Sequence, residues 1–322
     1  MVKIKLPGGI ERKYEDKVTV KEVATDVADQ NRGSSAIAGK VNSTLVDLDC
    51  QIEADTTLDL VMADSEEGLE ILRHSAAHVM AQAVTNLYPN TKLGIGPSIK
   101  DGFYYDFDLD TTLSEEDLEK IEAEMKRIIE SDETFERFEE TSDVAVKRME
   151  EFGQRYKVEL IKGLEDETVS FYRQGDFVDL CRGPHLSSTK KITAFKLLSV
   201  AGAYWRGKET NPMLQRIYGT AFTNKKDLRI HLKFLEESKK RDHRKVGTAL
   251  DLYSFHEEGG PGLVFWHPKG GRIRSVIETF WREEHYKRGY DIVYSPHIAK
   301  IDLWKTSGHL DFYKESMYSP ID

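Results

Sequence analysis

The 322-residue sequence has only two cysteines and no long uninterrupted apolar run. Two thiols, Cys50 and Cys181, are too few for a disulfide framework and are typical of a protein in a reducing cytoplasm. A membrane helix needs about 20 consecutive apolar residues, and no stretch approaches that length. The N-terminal MVKIKLPGG also lacks the apolar core of a secretion signal. We therefore expect a cytoplasmic protein that does not enter a membrane.

Positive charge is also scarce, since the net charge is −10. This balance argues against indiscriminate binding to nucleic acid, and DNA is not an expected partner. The charge is unevenly spread: residues 113–151 hold fifteen acidic and six basic side chains, whereas residues 225–245 hold nine basic and four acidic ones. A phosphate backbone would avoid the first segment and tolerate the second. Length and composition predict two or three soluble domains.

The first run suited to chemistry is RHSAAH, which contains His74 and His78. Apolar residues recur at spacings of three and four between Glu66 and Leu87, which predicts a helix. Two residues four apart lie on one face of a helix. Both histidines project roughly opposite the apolar stripe. We therefore expect them outside the core that buries the leucines, facing solvent or a separate cavity.

The second run, DLCRGPH at 179–185, places Cys181 and His185 in a Gly-Pro turn, with Asp179 just upstream. If the fold joins the two runs, three imidazoles and a thiol share one small volume. Such a set suits tetrahedral zinc, and it could equally move protons around a substrate without metal. The HExxH pattern of metalloproteases does not fit, because Ser75 stands where the glutamate is needed. A solvated helix face that happens to carry two histidines is the remaining alternative.

The N-terminal segment, residues 1–63, is predicted to be a small, autonomous β-rich unit with no evident catalytic group. A hairpin turns at Pro7-Gly8-Gly9, a helix begins at Thr19 and ends near Gln30, and further strands follow. Two strands, a helix and more strands in about 60 residues resemble a β-grasp (ubiquitin-like) domain.

Beyond this segment the pattern alternates between helices and strands. The alternation at Tyr156–Leu160 predicts a strand, and residues 194–207 predict a strand, a Gly turn and a second strand. Residues 225–245 predict one basic helix. Another helix opens at Gly270-Gly271, and a strand is expected at Tyr290–Tyr294. The apolar residues expected to face inward on that last helix are Ile273, Val276, Ile277 and Phe280.

The motifs RHSAAH, GFYYD, YKVEL, DLCRGPH, AGAYWRG, MLQRIYGTAF, KRDHRKVG, VFWHPKG and KTSGHLDFY occur in this order. Together they closely resemble bacterial threonyl-tRNA synthetases, from residue 1 to residue 322. The resemblance implies an α+β, multidomain chain. Its parts would be a TGS (β-grasp) domain at 1–63, an α+β editing domain at 64–224, a basic linker helix at 225–245, and an incomplete class II antiparallel-sheet core at 246–322.

The resemblance also implies an activity, proofreading hydrolysis of mischarged seryl-tRNA(Thr). It implies that His74 and Lys157 position or activate the attacking water and that Asp179 binds the seryl amine. Cys181 and His185 would shape the pocket and assist proton transfer, for which a histidine pKa near neutrality is suitable. The residues that match the family's editing site are His74, His78, Lys157, Asp179, Cys181 and His185, with Tyr105 a weaker match for substrate binding.

For the full-length enzyme the resemblance implies ATP with Mg²⁺, zinc, threonine or serine, tRNA(Thr) and a homodimer. The ATP-binding motifs and the synthetic-site zinc ligands have no counterpart before Asp322, so threonyl-adenylate formation is not expected of this portion. Its apolar surface near the end is expected to cause disorder or self-association. In the bacterial family the editing site is thought to work without zinc, although alanyl-type relatives hold it. The basic residues expected to contact tRNA are Lys225, Lys226, Arg229, Lys233, Lys240, Arg241 and Arg244.

Two alternatives remain open. One is a free-standing hydrolase that edits mischarged tRNA released by another protein, and the class II segment from residue 246 argues against it. The other is a non-catalytic, TGS-type RNA-binding or regulatory protein, for which the histidine and cysteine set would have no use.

Overall fold

The computed structural model describes residues 1–28, 36–164, 166–260 and 262–321. They form two compact units, Met1–Leu235 and Glu236–Asp322. The described chain mixes helices with several separate sheets, in agreement with an α+β multidomain class. None of the helices in these ranges combines the length and the apolar character needed to cross a bilayer.

The N-terminal segment forms a five-stranded sheet in the order β2-β1-β7-β4-β5, in which β1 and β7 are parallel. The hairpin at Pro7–Gly9 is confirmed, and so is the cap at Thr19, whose hydroxyl accepts the Glu22 N–H at 3.2 Å. The expected end of the helix, Gln30, lies outside the described residues. The elements are β1 (Val2–Leu6), β2 (Ile10–Tyr14), β3 (Val18–Thr19), α1 (Val20–Ala28), β4 (Ala36–Val41), β5 (Thr44–Asp47), β6 (Gln51–Ile52) and β7 (Thr56–Met62).

The N-terminal segment is less independent than its pattern predicts. Ile4, Val20 and Leu58 lie in an apolar core that belongs to this segment alone. Ile37 and Val61, however, belong to the larger core formed by the residues after Ala63. The segment therefore packs against the next one instead of standing apart.

The following residues build the larger part of the first unit. One sheet has the order β14-β15-β10-β8, with β9 paired to β10, and a second has the order β11-β12-β13. The elements are α2 (Glu66–Leu87), β8 (Lys92–Leu93), β9 (Ser98–Ile99), β10 (Gly102–Asp108), α3 (Glu115–Glu130), β11 (Phe135–Thr141), α4 (Ser142–Glu151), α5 (Arg155–Lys162), β12 (Thr168–Gln174), β13 (Phe177–Leu180), β14 (Ala194–Tyr204) and β15 (Met213–Phe222).

Helix α2 carries the first histidine run, and it begins where the sequence predicts. The Ser65 hydroxyl caps it by accepting the Gly68 N–H at 3.0 Å. Every residue from Ser75 to Val84 is buried, because the helix packs against α3 on one side and against β10 and β15 on another. The helix is therefore buried on more sides than the single apolar stripe in its sequence predicts.

The strand predicted at Tyr156–Leu160 is wrong, since these residues lie in α5. Tyr156 and Leu160, four residues apart, pack beside Trp205. Val158 and Ile161 pack into another apolar cluster. Two apolar faces on one short helix give the same alternation as a strand, so the period alone misleads.

The Gly turn predicted within residues 194–207 is also wrong. Residues Ala194–Tyr204 form one continuous strand, and the chain reverses only at Trp205–Gly207. Gly202 stays extended opposite Gln215, because β15 pairs along the whole length of β14.

The single helix predicted over 225–245 is interrupted. Helix α6 ends at Lys240, and Asp242 caps a new helix by accepting the Arg244 N–H at 2.8 Å. The division between the two compact units falls within α6. The remaining elements are α6 (Lys225–Lys240), α7 (His243–Ala249), β16 (Tyr253–Ser254), β17 (Phe265–Trp266), α8 (Pro268–Lys287), α9 (Ile301–Thr306) and α10 (His309–Phe312).

Helix α8 exposes the side chains that its pattern predicts to be buried: Ile273, Val276, Ile277 and Phe280 are 49–69% exposed. Residues 290–294 form no strand, and the sheet of this unit has only β16 and β17 within the described residues. The expected exposure of apolar surface is thus confirmed, because these side chains have no covering partner in the described chain. Self-association through them stays a prediction.

A salt bridge that joins β10 to β15 provides a test of this fold. The Asp106 carboxylate is buried and accepts from Arg216 Nε at 2.6 Å and from Nη2 at 2.9 Å. Removing one partner leaves an uncompensated charge, so we expect Asp106→Ala to lower the free energy of unfolding by about 3 kcal/mol. Urea unfolding of this variant and of the exposed control Asp101→Ala measures the effect. Equal stability of the two variants would contradict the assignment.

Candidate active site

The two chemical runs meet in the first unit. His74 Nε2 on α2 lies 3.0 Å from Cys181 Sγ in the turn after β13, and His185 Nε2 lies 3.4 Å from the same sulfur. The nearest ligand atoms of His74, His78, Cys181 and His185 all lie within 4.8 Å of one another. The structure therefore brings together the three imidazoles and the thiol, as the convergence hypothesis requires.

Aromatic side chains enclose the histidines. The His185 ring stacks on Phe135 at a centroid distance of 4.8 Å and meets Tyr172 edge-on at 4.4 Å. Phe177 contacts His78 edge-on at 6.4 Å. These aromatic residues belong to the same continuous core as the α2 leucines. The prediction that the histidines lie outside that core is wrong, because the second sheet closes over the face of α2 opposite the leucines.

Ser75 fixes the tautomer of His185. Its hydroxyl donates to the Ile71 carbonyl at 2.8 Å, which uses its one proton. The same oxygen accepts from the Leu186 N–H at 3.0 Å and faces His185 Nδ1 at 3.1 Å. His185 Nδ1 must then be the protonated nitrogen, because the serine has no second proton to give. Its Nε2 lone pair consequently points at the thiol.

His74 also presents a lone pair to Cys181. A backbone hydrogen bond with Gly96 favours the protonated ring, as a carbonyl acceptor does. Because Nε2 faces the sulfur, this bond occupies Nδ1. The sulfur accepts from the Gly183 N–H at 3.3 Å and has a single proton to offer. Two imidazole lone pairs thus compete for one S–H, and one of them is always available to another donor.

The ionisation of the cluster follows from its burial. Burial lowers the pKa of His74 to about 4 and that of His78 to about 3, with a further contribution to His78 from the nearby His74. Burial also holds the pKa of His185 well below its usual value and raises the pKa of the Cys181 thiol to about 12. The expected histidine pKa near neutrality is therefore wrong. At pH 7 the cluster is three neutral imidazoles and a neutral thiol.

A buried ion pair lies beneath the histidines. Lys157 Nζ is 2.7 Å from Asp179 Oδ1 and donates to the Tyr105 hydroxyl at 3.0 Å, while that hydroxyl donates to Asp179 Oδ2. All three side chains are buried. Burial disfavours the Asp179 carboxylate, but the charge of Lys157 and the two hydrogen bonds outweigh it and lower its pKa. The negative charge of Asp179 is therefore neutralised locally.

Lys157 reaches this position from α5, and Tyr105 from the inner face of β10. Tyr104, its neighbour, points to the other face, where its ring centroid lies 3.8 Å from the Arg216 guanidinium. This agrees with the alternation of a strand, which lets only one of the two tyrosines approach the site.

Of the three histidines in the cluster, His78 has the fewest hydrogen-bond partners for its ring nitrogens. Its Nε2 lies 3.9 Å from Asp179 Oδ2, beyond hydrogen-bond distance, and its buried Nδ1 has no hydrogen-bond partner among the described residues. One turn further along α2, Gln82 bonds both Gln174 and Glu133. Gln82 and Phe177 also line a polar cleft of about 770 Å³.

Sequence reasoning missed three residues that hold the site. Ser75 entered the sequence analysis only as the residue that excludes a metalloprotease, and Tyr172 was given no role in the site. Asp47, from the N-terminal segment, accepts the backbone N–H of His185 at 2.8 Å. No local pattern marks Asp47, because its partners are more than 100 positions away.

The basic residues after β15 divide into two groups. Among the described residues, Lys225, Lys226, Arg229 and Lys233 make no ion pair, and their side chains are exposed. Lys240 and Arg241 instead pair with glutamates one turn back, and Arg244 pairs with Asp242 at 2.7 Å. The beginning of α6 therefore offers a cluster of four uncompensated positive charges within the described residues.

The sequence of this chain is similar to those of known proteins. The family model described as the second additional domain of threonyl and alanyl tRNA synthetases matches residues 169–218. Threonine–tRNA ligase of Acetivibrio thermocellus is 54% identical over 99% of this chain, and that of Nitrosococcus oceani is 52% identical over 99%. The ligase of Pelobacter propionicus is 52% identical over 98%. The chain spans about half the length of each relative. The resemblance to threonyl-tRNA synthetases is thus confirmed along the chain.

The neutral histidines predict how stability depends on pH. An unfolded histidine has a pKa of about 6.5, so below that pH the unfolded chain binds protons that folded His74 and His78 do not. The contribution of these two neutral histidines to the free energy of unfolding is then fully present above about pH 6.5. It is lost as the pH falls toward 4. We expect a loss of up to about 1.4 kcal/mol per pH unit for each histidine, measured by urea unfolding followed by circular dichroism.

The matched variant for this measurement is the double substitution His74→Gln and His78→Gln. Because glutamine does not titrate, its unfolding free energy should change less between pH 6.5 and pH 4.5 than that of the unaltered chain. Identical pH slopes would show that these histidines are not held neutral.

Proposed function

We propose that this chain is the N-terminal portion of a threonine–tRNA ligase, and that its histidine and cysteine cluster hydrolyses seryl-tRNA(Thr). The observation that carries the proposal is the convergence of four neutral proton-exchanging groups above a buried lysine–aspartate pair. Similarity to threonine–tRNA ligases over nearly the whole chain supports the same function. In the complete enzyme this activity would accompany ATP-dependent aminoacylation in the cytoplasm, as a step of protein biosynthesis.

The domain assignment follows the same proposal. A five-stranded mixed sheet with one helix supports a TGS, β-grasp domain at 1–63. The matched family segment, 169–218, lies within the proposed editing domain at 64–224. Residues 225–245 would connect it to the beginning of a class II catalytic domain at 246–322. The exposed apolar face of α8 is consistent with a surface that the rest of that domain, or a second subunit of a homodimer, covers.

The need for such a site comes from the small difference between serine and threonine. A missing methyl group changes binding by only about 1–3 kcal/mol, or roughly 10–200-fold. A synthetic site alone cannot reject serine well enough, so a second pocket must destroy the wrong product. The smaller side chain can enter a pocket that is too narrow for the correct one.

The reaction is hydrolysis of the ester between the seryl carboxyl and the 3′-terminal ribose. The oxygen of a water attacks the carbonyl carbon, the bond from that carbon to the ribose oxygen breaks, and the water's proton passes to the ribose oxygen. The products are serine and tRNA with a free hydroxyl.

The free Nε2 lone pair beside Cys181 is the acceptor that this proton transfer needs. We assign it to His74, because His74 is the one histidine of the cluster that is partly exposed and can meet a water. A pKa of about 4 makes it a weak base, so its main work is to orient the water and carry the proton briefly. Cys181 and His185 then share the remaining proton through their 3.4 Å contact.

Asp179 and Lys157 act on charge. The Asp179 carboxylate attracts the seryl ammonium, and Tyr105 holds the orientation of that carboxylate through its hydrogen bond to Oδ2. The Lys157 ammonium, 2.7 Å from Asp179 Oδ1, places a positive charge near the carbonyl oxygen as negative charge develops there. The uncompensated lysines and arginine at the start of α6 would attract the tRNA backbone.

Zinc remains the alternative use of the cluster. Three imidazoles and a thiol are a zinc donor set, and His78 Nδ1 lacks a partner among the described residues. The residues thus fit the metal, although 4.8 Å is wider than the spacing of about 3.5 Å that a tetrahedral site needs. Bound there, zinc would polarise a water for attack. We favour metal-free hydrolysis, because these ligand atoms are spread more widely than a tetrahedral zinc site needs.

The first test is single-turnover deacylation of seryl-tRNA(Thr) by the unaltered chain and by His74→Ala. We expect the substitution to slow hydrolysis by about 10²-fold or more, the usual contribution of a positioned proton acceptor. The matched control is His297→Ala, which alters an exposed histidine outside the cluster.

An unaltered rate in His74→Ala would contradict the assigned role. Absence of hydrolysis by the unaltered chain, with tRNA binding retained, would favour the RNA-binding alternative.

The second test concerns the metal. After treatment with a zinc chelator and removal of the chelator, we expect hydrolysis to persist in a sample whose zinc content, by elemental analysis, is far below one atom per chain. Because the ligand atoms are spread more widely than a tetrahedral site needs, a zinc-dependent ultraviolet thiolate band should also be absent on zinc addition. Loss of activity that returns with stoichiometric zinc would establish the alternative.

A further inference from the structure

Asp47 links the N-terminal segment to the site. It is the last residue of β5, the edge strand of the five-stranded sheet, and it is half-buried. Its Oδ1 accepts the backbone N–H of His185 at 2.8 Å, and its Oδ2 accepts the hydroxyl proton of Tyr172 at 2.5 Å. One carboxylate thus binds two separate parts of the wall around the histidines.

We propose that Asp47 is a positioning residue for the hydrolytic site. The N-terminal segment would then supply one of the side chains that hold the active site in shape. The inference rests on the proposed function for its catalytic consequence. Its structural part, that Asp47 holds the 181–185 turn in place, stands on the two hydrogen bonds alone.

The turn also rests on the side chain that Asp47 holds. Gly183 adopts φ +72°, and a β-carbon there would lie 1.9 Å from the Tyr172 hydroxyl. The turn is therefore seated directly on Tyr172, whose ring also meets the His185 ring at 4.4 Å. Asp47 anchors the tyrosine and the His185 backbone together, which sets the height and tilt of the imidazole.

The electrostatics make this anchor sensitive to substitution. Burial raises the pKa of Asp47, while the hydrogen bonds from Tyr172 and His185 and the charge of Arg137 oppose the rise. Burial likewise raises the pKa of Tyr172, with the Asp47 charge adding to the effect, so the tyrosine keeps the proton that it donates. Without the carboxylate, the Tyr172 hydroxyl and the His185 N–H would both lose their acceptor in a partly buried place.

The experiment compares Asp47→Ala, Asp47→Asn and a matched control, Asp49→Ala, which removes an exposed aspartate two residues further along the chain. Asparagine keeps an oxygen that can accept the His185 N–H. The first measurement, hydrogen–deuterium exchange of residues 182–186, does not depend on activity. We expect exchange to become roughly 10- to 100-fold faster in Asp47→Ala, and to stay near that of the unaltered chain in the other two.

The second measurement is single-turnover deacylation of seryl-tRNA(Thr) over a range of protein concentrations. We expect Asp47→Ala to lower the saturating rate constant by roughly 10- to 100-fold with little change in the half-saturating concentration, because a displaced imidazole affects the reaction more than binding. Asp47→Asn should restore most of the rate. If Asp47 only stabilised the fold, Asp47→Ala would not lower the rate constant of the protein that remains folded. Asp47→Asn would then have no lost rate to restore.

The outcomes separate this inference from the proposed function. If the unaltered chain shows no hydrolysis, the proposed function fails, and exchange still decides whether Asp47 holds the turn. If Asp47→Ala matches Asp49→Ala in exchange and in rate, the positioning role is wrong. If Asp47→Ala loosens the whole first sheet, Tyr172→Phe decides, since it removes one of the two bonds to Asp47 and leaves β5 unaltered. Faster exchange at 182–186 then supports the role, and unchanged exchange overturns it.

Discussion

The buried pair of Lys157 and Asp179 is the constraint on which the site depends. Two opposite charges inside an apolar core are stable only while they stay together, since removing one partner of such a pair costs about 3–5 kcal/mol. The pair lies where α5, β13 and the Tyr105 hydroxyl of β10 meet. These elements must therefore keep their places, and the turn that follows β13 is held against α2 as a result.

Neutrality of the histidines follows from the same enclosure. A core that hides an ion pair also disfavours an imidazolium, so the neutral rings present lone pairs and N–H groups to Cys181 and Ser75. Ser75 sorts them by giving its single proton to Ile71 and thereby fixing His185. Each imidazole is therefore a weak base, but the direction of its lone pair is fixed before a substrate arrives.

The sequence was sufficient where the information is local or chemical. The cap at Thr19, the α2 helix and the rare combination of two short runs could all be predicted from residue types and spacing. It failed where one pattern fits two structures, as in α5, whose two apolar faces mimic a strand. Prediction failed again where the partner is distant in sequence, as for Asp47 and for Phe177, which contacts His78. The local sequence does not show which residues a helix packs against. The lowered histidine pKa values could not be predicted from the sequence either, since burial is their largest cause.

The central claim is that this enclosed, neutral cluster hydrolyses an ester of serine in preference to the correct one. Its most direct test is the single-turnover hydrolysis of seryl-tRNA(Thr) and threonyl-tRNA(Thr) by the unaltered chain, each compared with its spontaneous hydrolysis. The account predicts that the seryl ester is cleaved far faster than both its spontaneous rate and the rate for the threonyl ester. Equal rates for the two esters, or no acceleration of either, would contradict it.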